Sequence, residues 1–119
     1  MLAGLGDVAA DSGAWAEAES KYRESLSLRH RIGDRAGMAG LLERLAGVTT
    51  DSPVRAAQLI GTAQSLREVI GAPLSPRGVA QLDQFLAELA AKIGPGEMTA
   101  GLAAGRRMPL DEAVRFALA

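Results

Sequence analysis

Large apolar residues return every three or four positions along most of the chain, with small or polar residues between them. Trp15, Ala18, Tyr22 and Leu26 form one such series, with Ile32 at its edge. Ala56, Leu59, Ala63, Leu66 and Ile70 form a second. Val79, Leu82, Leu86, Leu89 and Ile93 form the third and cleanest. Successive residues of an α-helix turn by about 100°, so this spacing gathers the apolar side chains on one helical face. No stretch alternates with the period of two that a half-buried strand requires. The pattern predicts an all-α protein.

Glycine and proline cut the chain into about seven helical segments. The first is expected from Met1 to about Asp11, ending before Gly13, and the second from Trp15 to Ile32. Gly33 is placed to take the left-handed conformation that closes a helix. A third segment runs from about Arg35 to Val48. Ser52-Pro53 and Ser75-Pro76 each join a capping hydroxyl to a proline at the first helical position, where its missing N–H costs nothing. They open a fourth helix that ends at Gly71 and a fifth that ends at Gly94-Pro95. Two short helices follow, over about Glu97–Ala104 and Pro109–Leu118.

Composition agrees. Ala, Leu, Glu and Arg lose little freedom in a helix, and aromatic residues, which favour sheets, make up only 3% of the 119 residues. A formal charge of −1 gives no bulk attraction to nucleic acid or to membranes. Cysteine is absent, which excludes disulfides and thiolate chemistry. The N-terminal residues lack the basic start of a secretory signal, and no apolar run approaches membrane-spanning length. The expected location is cytoplasmic.

The chain also matches itself. At an offset of 38, Ser27-Leu28-Arg29 falls on Ser65-Leu66-Arg67, Ile32-Gly33 on Ile70-Gly71, Ala18 on Ala56 and Tyr22 on Ile60. The preceding helices match at an offset of 40, Leu5-Gly6 on Leu45-Ala46. Self-similarity at such a period is the mark of stacked structural repeats. The expected architecture is antiparallel helix pairs stacked as a short superhelix. Residues 1–74 would hold two pairs, and residues 75–119 a longer helix with two short helices packed as a cap, all one continuous domain.

Leu5-Gly6, Gly13, Ala18 and Tyr22 sit at the spacing of the tetratricopeptide repeat, which the first copy resembles more closely than the second. The run from Ala57 through Pro73 and the ending from Gly105 to Val114 are similar to the C-terminal helical arm of large bacterial regulators. Those regulators join a nucleotide-binding ATPase core to tetratricopeptide-like repeats, and many carry a LuxR-type DNA-binding domain. The resemblance implies a sensing or docking arm involved in transcriptional regulation, with catalysis and DNA contact elsewhere.

Motifs for chemistry are few. Gly4-Leu5-Gly6-Asp7-Val8-Ala9 has the letters of a dinucleotide-binding turn but not the preceding strand that such a turn needs. His30, the sole histidine, lacks a ligand or carboxylate at helical spacing and reads as a helix-end residue favoured by the helix dipole. Arg29 and Arg67, at equivalent positions, either line a groove for an acidic partner or bury their stems and cap helix-end carbonyls. The second reading accounts for both copies. Asp111 and Glu112 suit the first turn of the last helix, where carboxylates meet the positive end of the dipole. Arg106, Arg107 and Arg115 are interrupted by those carboxylates, which speaks against direct nucleic-acid binding by this segment.

These readings converge on a non-enzymatic regulatory module for protein–protein interaction, without cofactor or metal. The alternative is a small-molecule effector sensor. In the resembled family the first helix of each pair supplies the inner surface, which makes Leu2, Leu5, Asp7, Met38, Leu41, Leu42 and Arg44 the candidate partner-binding residues. Because stacked repeats bury one face on a neighbour, Leu2 and Leu5 also mark a candidate face for homodimer formation.

Overall fold

The glycines and prolines that punctuate the sequence mark helix ends in the folded chain. A computed structural model describes residues 12–119, and the described residues form six α-helices and no strand. They are α1 (Ser12–Ile32), α2 (Arg35–Val48), α3 (Pro53–Ile70), α4 (Pro76–Ile93), α5 (Pro95–Arg106) and α6 (Leu110–Leu118). The expected helix over Met1–Asp11 lies outside the described residues. Gly13 does not interrupt the chain there, since α1 already includes Ser12.

The caps follow local chemistry. Ser52 and Ser75 accept from the backbone N–H groups of Arg55 and Gly78, with Pro53 and Pro76 at the first helical position. Asp34 does the same for α2 by accepting from Gly37. Gly33 and Gly71 have φ of 77° and 67° and close α1 and α3 in the left-handed conformation. The 38-residue repeat is reproduced at these two ends. Asp34 N donates to Arg29 O and Gly33 N to His30 O, just as Ala72 N donates to Arg67 O and Gly71 N to Glu68 O. Each set is a Schellman motif, which satisfies carbonyls that the end of a helix leaves open.

α3 is the centre of the packing. Its expected stripe of Ala56, Leu59, Ala63 and Leu66 is buried, but so are Ala57, Ile60, Gly61 and Thr62. One side meets α2, which contributes Met38, Ala39, Leu42 and Leu45 to the core, and α1 adds Leu26 beyond it. The other side meets α5 through small residues. A Cβ added at Gly105 would collide with the backbone carbonyl of Gln58, one at Gly61 with that of Leu102, and one at Gly101 with the Ala57 methyl. Glycine is required there because the two backbones touch. These contacts advance in the same direction along both helices, so α3 and α5 run parallel, with α4 as the return between them.

The 95–106 helix, expected within a cap, therefore packs along the inner helix. α4 carries the cleanest apolar stripe yet buries only Leu82 and Leu89 fully, and Val79 is exposed. α6 closes on α1 and α3. Arg55 on α3 donates to Phe116 O at 2.6 Å, and its guanidinium lies 4.5 Å from the Phe116 ring centre. With principal extents of 35 × 31 × 29 Å, the body is nearly isotropic. No helix among the described residues is long and apolar enough to cross a membrane.

Candidate functional site

A cleft of about 340 Å³ opens where α2, α3 and the α5–α6 turn meet. α2 contributes Arg35 and Leu42, and α3 contributes Thr62, Ser65, Leu66 and Val69. Met108 and Pro109 of the turn, with Leu110 and Ala113 of α6, form the opposite wall. Its position follows from the chain path. α2 and α3 are antiparallel, so the start of α2 lies beside the last turns of α3, and α5 delivers the 107–109 turn to the same end. The wall is mainly apolar, and Val69 stays 71% exposed beside it.

The polar groups at the cleft differ in their freedom. Thr62 Oγ1 is buried and donates to Leu59 O at 2.7 Å. Ser65 Oγ and the exposed Arg35 guanidinium have no hydrogen-bond or ionic partner among the described residues. The carboxylates next in sequence to lining residues are engaged, except Glu112 beside Ala113. Asp34 binds Arg29 at 3.0 Å, Asp111 binds His30 Nε2 at 3.0 Å, and Glu68 receives Arg106 Nη2 at 2.7 and 2.8 Å. Glu112 is exposed and lies outside the lining. Arg35 is thus the one charged residue of the lining, and it is not neutralised.

Arg67 and Glu43 form a separate pair between α3 and α2. Arg67 Nε and Nη2 each donate to a different oxygen of Glu43 at 2.8 Å, while Nη1 donates to Ala72 O at 3.1 Å. The Glu43 side chain is 3% exposed and that of Arg67 18%. The hydrogen bonds to Glu43 hold the guanidinium pKa above the ordinary arginine value, against the opposing effect of burial. Arg29 repeats the arrangement at the surface with Asp34, five residues on, where Arg67 meets the Ala72 carbonyl. Both arginines serve helix junctions and neither is left free to line a groove for an acidic partner.

The residues singled out in the sequence scatter. Leu2, Leu5 and Asp7 lie outside the described residues, as does the Gly4–Ala9 motif. Met38, Leu41 and Leu42 are 1%, 6% and 0% exposed, so they serve the core, and only Leu42 reaches the cleft. The reason is that α2 has neighbours on two sides, α1 and α3, which cover the face that a superhelix would present. Arg44 is exposed. His30 has a tertiary partner, Asp111, 81 residues away, which no helical spacing reveals. The sequence reading missed Arg35, the 107–109 turn and Leu110 at the start of α6. Their one available signal was the apolar triplet Met108-Pro109-Leu110 in an inter-helix connection, a place usually polar.

The chain matches no protein-family model, no curated protein and no solved structure.

Proposed function

We propose that this chain is a non-enzymatic regulatory module that acts by binding, in the manner of the sensing or docking arm its sequence resembles. The observation that carries the reading is the cleft at the α2, α3 and α5–α6 junction. An apolar concavity with a few unengaged polar groups is the usual form of a recognition site. The cleft also joins elements far apart in the chain, so an occupant would touch α2, α3 and α6 together and stabilise their arrangement. That is how a binding event is passed to neighbouring parts of a protein, by favouring one packing over another.

Two occupants fit the reading, a side chain or helix of a protein partner and a small effector. The volume favours the second, because about 340 Å³ lies at the lower end of the range for small-ligand sites. The test is amide and methyl chemical-shift mapping of the 119-residue chain against a mixed set of small acids, bases, neutral compounds and short amphipathic peptides. Perturbations should gather on Leu42, Leu66, Val69, Met108 and Leu110. Shifts spread over the surface, or gathered away from these residues, would overturn the reading. In a parallel thermal-shift screen, an effector at a hundred times its dissociation constant adds about 2.7 kcal/mol.

A further inference from the structure

We infer that the cleft takes a small organic carboxylate with an apolar body, whose anionic group rests on Arg35. The inference depends on the cleft being a binding site and goes on to name the chemistry of its occupant. Charge selects an anion. Arg35 is the single charged lining residue. Of the carboxylates next in sequence to lining residues, Asp34, Glu43 and Glu68 are each paired with an arginine, and Asp111 is hydrogen-bonded to His30. Glu112, beside Ala113, is exposed and outside the lining. A carboxylate seated there gains a charged hydrogen-bonded contact with the Arg35 guanidinium that a neutral or cationic ligand cannot make. Outside the lining, exposed Arg107 beside Met108 and exposed Glu112 beside Ala113 offset one another, which leaves Arg35 as the charge of the cleft itself.

The number of cations selects the kind of anion. One guanidinium matches one carboxylate through two parallel N–H···O bonds. A phosphate carries close to two charges and three acceptor oxygens, more than one arginine and the Ser65 hydroxyl satisfy. Volume then sets the size. At about 30 Å³ for each water-sized unit, the cleft holds on the order of ten heavy atoms. Leu42, Leu66, Val69, Met108 and Leu110 form the apolar surface for the body of the ligand.

The probes are octanoate and 3-phenylpropanoate, with 1-octanol and octylammonium as neutral and cationic counterparts, titrated into the full chain and followed by chemical shifts and calorimetry. Both acids should bind saturably with shifts on the cleft residues, and 1-octanol should bind about tenfold more weakly. Arg35→Gln should weaken octanoate about ten- to a hundredfold, the scale of a charged hydrogen-bonded contact, and leave 1-octanol unchanged. Because Arg35 is exposed and unpaired, that variant should melt with the parent. Val69→Asp, also at an exposed position, should reject octanoate and favour octylammonium. Equal binding of octanoate and 1-octanol at the cleft, or an Arg35→Gln variant that keeps full octanoate affinity, overturns the inference while the module reading stands. Absence of cleft shifts with both acids overturns the inference as well. If the wider compound and peptide set also misses the cleft, the module reading falls with it.

Discussion

Gly105→Ala tests the contact on which the packing of α5 depends. The new methyl would stand on the Gln58 carbonyl and close to Thr62 N, both rigid backbone atoms of α3. Neither can swing aside as a side chain would, so α3 and α5 must separate along their shared length. Overpacking costs about 1–3 kcal/mol, and a clash between two rigid backbones belongs to the upper part of that range, about 2–3 kcal/mol. Against it stands the higher helix propensity of alanine, worth about 0.8–1 kcal/mol over glycine. The expected net loss is about 1–2 kcal/mol, which lowers the melting temperature by roughly 4–10 °C for a chain of this size. Gly96→Ala supplies the control. It lies near the start of the same helix with nothing within 4 Å of an added Cβ, so it should leave stability unchanged or raise it by up to about 1 kcal/mol. Gly61→Ala should behave like Gly105→Ala, and the double variant should lose less than the sum, because one separation of the helices relieves both clashes. Thermal and urea unfolding followed by circular dichroism give these values. If Gly105→Ala melts at or above the parent, in step with Gly96→Ala, the two backbones do not meet and the account of α5 is wrong.

Glu43→Gln should cost about 3 kcal/mol by stripping a largely buried guanidinium of its counter-charge, whereas Glu43→Leu with Arg67→Met should stay within about 1 kcal/mol of the parent in urea unfolding. The Arg67 pKa is raised in the folded state, so its contribution is complete below the unfolded value and is lost only as pH rises through the folded one. Unfolding titrations from neutral to moderately alkaline pH should therefore show no loss from this pair. Trp15 packs against the core but is only partly buried, so Trp15→Ala should lose about 1–3 kcal/mol, less than a fully buried tryptophan, and an unchanged melting temperature would mark it as a surface residue. Arg55→Gln removes the contacts with Phe116 and should speed amide exchange in α6 more than in α3, a loss of about 1–2 kcal/mol.

What the sequence determined by itself is local. The six described helices, the Ser–Pro starts at 52 and 75 and the glycine ends at 33 and 71 depend on φ restriction, missing N–H groups and capping oxygens within a few residues. The repeat was legible for the same reason, since a Schellman ending needs its glycine at a set place. Which helix lies at the centre was not legible. Periodicity reports a helix with one dry face, so it drew attention to α4, whereas α3 is covered on both sides and shows no strong contrast between faces. The resemblance to stacked repeats assigned Met38, Leu41 and Leu42 to a partner-facing inner surface, whereas α1 and α3 already cover them. Only the tertiary structure paired Glu43 with Arg67 across two helices, joined His30 to Asp111 and left Arg35 unpaired beside an apolar cleft. Charge pairing at these sites follows distance in space, and neighbours 24 or 81 residues apart carry no mark of each other in a single chain.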